Sequence, residues 1–129
     1  MIRPSAKLIV LGDIAALVCF GLIGLVSHEK SVDVSPVIRS IVPFVVVWLM
    51  IAPFLGAFSE EAIRGRKPLG EIALLWLPAG VVALCARALV FDRELFSAFF
   101  VIALIGHGVF LLSWRAVYSR WLAQAPTRV

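Results

Sequence analysis

Four features of this sequence carry polar chemistry, and each is set in or against apolar sequence. Asp13 is the one carboxylate in "LIVLGDIAALVCFGLIGLV", residues 8–26. Arg87 is the one charge in "IALLWLPAGVVALCARALVF", residues 72–91. His107 stands between two glycines in "GHG", and Ser27, His28 and Glu29 stand together in "VSHEK". A carboxylate in such a run handles protons or a cation, meets a partner protein, or closes an ion pair as a structural lock; an intramembrane ion nearly always has a partner. A histidine in the middle of an apolar run supplies an axial ligand to a haem or pigment, or an interhelical hydrogen bond. An arginine near the end of a span snorkels to the interface, or pairs here with Glu29, Asp33, Asp92 or Glu94.

Catalytic patterns are missing. No nucleophile has a base and an orienter, no HExxH occurs, and no glycine loop is built to cradle phosphate. Ser27, His28 and Glu29 lack the scaffold a hydrolytic site needs, so the sequence argues against an enzyme. Cys19 and Cys85 lie inside apolar runs, where thiols act as small hydrophobes. Neither they nor His28 and His107 make a metal-ligand spacing, and no cofactor is expected.

The elements that must hold these residues follow from composition. Of 129 residues 62% are hydrophobic, with a mean hydropathy of +1.04, well above the roughly half-apolar usage of soluble domains. The chain reads as a polytopic integral membrane protein. Its formal net charge of +4 is not a nucleic-acid signal, because the basic residues cluster at span ends, where headgroups and topology account for them.

A helix needs about 20 apolar residues to cross the hydrocarbon core. Four stretches meet or approach this: residues 8–26, 41–58, 72–91 and 95–114. The first reads as a retained helix rather than a cleaved signal, since it holds Asp13 and ends without a small-residue cleavage site. Pro43, Pro53 and Pro78 fall within spans, and each removes a backbone hydrogen bond. Trp48 and Trp76 need indole partners if buried. Residues 59–67, "SEEAIRGRK", read as a solvated loop. Short connections imply antiparallel neighbours. The predicted fold is an all-α, four-helix up-down membrane bundle over residues 1–129, with 115–129 as a tail along the inner face.

Counting Lys and Arg orients it. Arg3, Lys7, Arg64, Arg66, Lys67, Arg115, Arg120 and Arg128 fall on one side; Lys30, Arg39, Arg87 and Arg93 on the other. The positive-inside rule then puts both termini in the cytoplasm. Asp13 lies five residues past Leu8, roughly 8 Å below the inner boundary at 1.5 Å per residue. Arg115 closes the fourth span from that side and forks onto a carboxylate with two hydrogen bonds, so it is the expected partner, ahead of Arg64 and Arg66. Gly12, Ala16 and Gly24 let a neighbouring helix approach the Asp13 face.

Several stretches taken together resemble the family catalogued as domain of unknown function 3054, small multi-pass membrane proteins of bacteria and archaea. They are "LGDIAALVCFGLIGLVSHE", "PFVVVWLMIAPFLGAF", "ARALVF" and "FVIALIGHGVFLLSWRAVY". The landmarks that carry the likeness are Gly12-Asp13, Ser27-His28-Glu29, Pro43-Phe44 with Trp48, Arg87 and Trp114-Arg115. The resemblance implies a membrane protein and no activity, so no site residue is carried over from it. The expectation is a non-enzymatic accessory or structural component of a prokaryotic plasma membrane. Its partners are the lipid bilayer and a homo-oligomer or larger complex. Two alternatives stay open: an oligomeric carrier of protons or a small solute through Asp13, and a haem- or pigment-bearing subunit through His107.

Overall fold

Ser5 starts the first helix. Its hydroxyl accepts the Leu8 N–H at 3.3 Å, satisfying one of the amides that a helix start leaves without a carbonyl, and α1 follows over Ala6–Ser27. The structure, a computed structural model, describes residues 5–27, 34–91 and 98–124. After α1 come α2 (Val34–Ile51), a 3-10 turn at Ala52–Leu55, the one-turn α3 (Glu60–Ile63), α4 (Leu69–Phe91) and α5 (Ala98–Gln124). The described residues form helices and turns, with no strand among them.

The second apolar run does not stay helical to residue 58 as its hydropathy predicts. Pro53 has no N–H to give and its ring crowds the carbonyl four residues back, so α2 tightens into the 3-10 turn. Gly56 then ends the turn in the left-handed region at φ 83°, a conformation without penalty only for glycine. The chain turns back rather than leaving. Ser59 caps α3 by accepting the Ala62 N–H at 3.4 Å, and Glu60 and Glu61 lie in its first turn, where the helix dipole favours them. Residues 59–67 are therefore only partly the solvated loop expected from their charge. Glu60, Glu61, Arg64 and Arg66 are exposed, while Ala57 and Ala62 are buried. The last span also departs from expectation, because α5 continues unbroken past Trp114 to Gln124.

Packing joins α1 to α2 and α5, and α4 to α2 and α5. Contacts give the directions. Gly21 abuts Ile41 while Asp13 reaches Trp48, so α1 and α2 run antiparallel. Gly12 lies under Trp114 and Gly106 under Phe20, so α1 and α5 do too. Gly80 meets Leu104 and Gly108 meets Trp76, which makes α4 and α5 a third antiparallel pair. The core runs through Leu17, Phe44, Trp48, Ile72, Trp76 and Leu111. A smaller cluster of Ile9, Ala62 and Tyr118 closes the end at which Ser5 lies.

Among the described residues three helical segments are long and apolar enough to cross a membrane, Ala6–Gly24, Leu69–Phe91 and Phe100–Ala123; Ser40–Leu55 is apolar but shorter. Outward side chains such as Leu11, Leu74, Leu89, Val101, Ile105 and Val109 are apolar as well. Helices apolar all round suit surroundings of lipid rather than water.

Candidate functional site

Asp13, two turns into α1, is fully buried. Burying a lone carboxylate is prohibitive, so its partners decide whether the helix can exist there. Arg115 on α5 forks onto it: Nε donates to Oδ1 at 2.9 Å and Nη2 to Oδ2 at 2.6 Å. Trp48 on α2 adds a third donor, its indole N–H reaching Oδ2 at 3.0 Å. The buried Trp114 indole N–H lies beside the same carboxylate, short of hydrogen-bond geometry. Its ring occupies the space above Gly12, where a Cβ has no room. Glycine at 12 thus lets α5 come close enough for Arg115 to reach.

Arg115 also acts in the other direction. Its Nη1 donates to the carbonyl of Ala57 at 2.9 Å, and its guanidinium carbon lies 5.5 Å from the Phe58 ring centre. Phe58 in turn meets Trp48 edge-on at 6.3 Å. One turn further along α5, the Tyr118 hydroxyl donates to the carbonyl of Ile63 and accepts the Ser5 N–H at 3.3 Å. Four segments therefore converge on one buried charge pair: α1, α2, α5 and the turn after α2. Both carboxylate oxygens and all three guanidinium nitrogens thus have at least one hydrogen-bond partner within the chain.

His107, two turns away on α5, is buried in different company. Its Nδ1 lies 2.7 Å from the carbonyl of Ala103, which can only accept, so Nδ1 carries the proton. The expected interhelical hydrogen bond is instead a bond to the residue's own helix. Contact between helices comes from rings: Phe44 stacks at 4.0 Å and 18°, and Phe20 meets it edge-on at 4.5 Å. Trp76 lies 6.1 Å away. No space is left beside the flanking glycines, since Phe20 covers Gly106 and Trp76 covers Gly108. Trp76 spends its own N–H on the carbonyl of Leu104 at 2.8 Å. Nε2 is buried with no hydrogen-bond partner among the described residues.

Other sequence candidates lie apart from this node. Arg64 pairs with Glu60 at 2.8 Å on the surface, and Arg66 is exposed. Arg87 is half-buried near the far end of α4. His28, Glu29 and the other acids expected near Arg87 lie outside the described residues. Cys19 and Cys85 are free thiols. Among the described residues no group of three or more His, Cys, Asp or Glu is placed to hold a metal ion. Three contributors to the node had not been assigned to it: Trp48, the Ala57 carbonyl and Tyr118. The sequence shows Trp48 as a landmark residue that needs an indole partner but not which acceptor it meets, and nothing in apolar sequence marks a backbone carbonyl.

A family model described as "Protein of unknown function (DUF3054)" matches residues 10–118, a stretch that holds Asp13, Trp48, His107, Arg115 and Tyr118. No curated protein and no solved structure matches the chain.

Proposed function

We propose, from the premise that this chain belongs to the DUF3054 family, that it is a small non-enzymatic component of a prokaryotic plasma membrane. Its four long helices form an up-down bundle with both termini on the cytoplasmic side. The Asp13–Arg115 pair is the lock that holds the first helix to the last, and the protein serves as an accessory or structural part of a membrane assembly, alone or with copies of itself. One observation carries this reading: each oxygen of the buried carboxylate and each nitrogen of its guanidinium partner is bonded inside the chain. A carboxylate that binds a solute needs an open position, and this one has Arg115 and Trp48 on its oxygens.

The carrier reading makes the opposite demand, that Asp13 exchange partners during a cycle. Proton and sodium flux into proteoliposomes separates the two, with wild type compared against Asp13→Asn. The lock predicts that both stay at the protein-free background. Wild-type flux above background that disappears in the variant would establish the carrier and remove the lock. Haem or pigment attachment through His107 gains no support from its neighbours, whose rings fill the space that a macrocycle requires. A visible absorption band in protein purified from its native membrane, lost in His107→Phe, would reverse that view.

A further inference from the structure

The basic side chains at the Ser5 end fall into two groups. Arg115 is spent on Asp13, Arg64 pairs with Glu60 at 2.8 Å, and Lys67 reaches Glu71 at 3.8 Å. Lys7, Arg66 and Arg120 are exposed and have no ion pair or hydrogen bond among the described residues. Among the described residues one carboxylate without an ion pair, Glu61, shares their end.

These three cations occupy one layer. Lys7 is two residues from Ser5, whose N–H is bonded to Tyr118. Arg66 follows Gly65, and a Cβ on Gly65 would lie 3.1 Å from the Ser119 Cα. Arg120 follows Ser119 directly. All lie within about a turn of Tyr118, which stands roughly 4.5 Å beyond Arg115 along α5 at 1.5 Å per residue. The outward face of α5 marks the same level independently. Its exposed residues run Ile102, Ile105, Val109 and Val117 with Ser113 among them, then change to Arg120 and Trp121. A surface that passes from aliphatic to basic and indole side chains matches the boundary between acyl chains and headgroups.

We propose that Lys7, Arg66 and Arg120 form a collar that binds the phosphate-bearing headgroups of anionic phospholipids in the adjoining leaflet. Arginine forks onto phosphate oxygens and lysine adds a point charge, while Trp121 rests among the headgroups beside them. The collar works from either side of the membrane, so it rests only on the chain being embedded, not on which way it faces.

The test uses the full chain reconstituted in phosphatidylcholine vesicles containing a minor fraction of spin-labelled phosphatidylglycerol. The readout is the association of that lipid with the protein relative to spin-labelled phosphatidylcholine. Three proteins are compared: wild type, Lys7→Gln/Arg66→Gln/Arg120→Gln, and Arg64→Gln as a basic residue already paired. Wild type should prefer the anionic lipid, with each collar charge worth roughly fivefold at low salt. The triple variant should lose the preference, Arg64→Gln should keep most of it, and added salt should weaken it. Equal preference in wild type and triple variant overturns the collar, as does an equal loss in Arg64→Gln. Displacement of the labelled lipid by soluble glycerol phosphate overturns the bilayer as the source of the phosphate. Failure of the wild type to float with vesicles is a different result, which removes the membrane reading itself.

Discussion

α5 carries two buried polar side chains two turns apart, and the molecule treats them in opposite ways. Around Arg115 every donor nitrogen is bonded, to a carboxylate on α1 and a carbonyl beyond α2. Around His107 one nitrogen bonds its own helix and the other bonds nothing among the described residues, while rings from α1, α2 and α4 close over it. A charge must be matched by charge and hydrogen bonds wherever water is excluded. A neutral ring can be held by packing, at a cost of about 1–3 kcal/mol for the orphaned atom. Polarity in an apolar run therefore does not by itself locate the lock; the count of satisfied valences does.

The contrast is sharpest at Arg115. Arg115→Met leaves Asp13 buried with Trp48 alone and should cost about 3–5 kcal/mol, measured as the shift in unfolding of the detergent-solubilised protein. A loss below about 1 kcal/mol would mean that water reaches the carboxylate. Trp48→Phe keeps an aromatic ring against Phe58 and Trp76 but removes one hydrogen bond to a charged acceptor. Its cost should be about 1.5–3 kcal/mol in the same unfolding measurement. A cost near zero would reduce the node to the ion pair alone.

How much of this was legible in the sequence can be judged residue by residue. The pairing of Asp13 with Arg115 is legible, because an acid one and a half turns below a boundary needs a base at the same level and side, and arginine forks onto a carboxylate. The apolar runs gave the long helices, since hydropathy measures what lipid contact requires. The end of α2 was hidden, because residues 41–58 are apolar throughout while the break at Ala52–Gly56 comes from backbone chemistry at Pro53 and Gly56. The return of Ala57 and Ala62 into the packing was masked by the four exposed charges around them. For the same reason the last turns of α5 read as a tail: Arg115, Arg120 and Arg128 suggest departure, although Arg115, Tyr118 and Leu122 keep helical spacing and two of them are buried. The glycines beside His107 suggest room for a haem or pigment, and only the structure shows Phe20 and Trp76 filling it.

Two smaller effects test the packing side. Gly12→Ala puts a methyl group into the Trp114 ring, which has to move from beside the carboxylate. The cost should be about 1–3 kcal/mol, whereas Gly24→Ala, with nothing near the added carbon, should be neutral or slightly stabilising. Equal effects at the two glycines would show that α1 and α5 are not held at close approach. Smallest of all is His107→Phe, which keeps a flat ring against Phe44 and removes both the orphaned nitrogen and the Nδ1–H bond to the Ala103 carbonyl, two effects of opposite sign. Stability should change by less than about 1 kcal/mol, in either direction. A loss as large as that of Arg115→Met would mean that Nε2 has a partner and that the two regions are alike.

The joining of α1 to α5 through a matched charge pair is tested most directly by comparing Asp13→Leu/Arg115→Met with each of its two single variants in one unfolding experiment. Removing both charges should restore most of the stability that the single substitution loses, because the unmatched carboxylate is the source of that loss. A double variant as unstable as the sum of its two single variants would show that the residues act independently, and that something other than their pairing holds the two helices together.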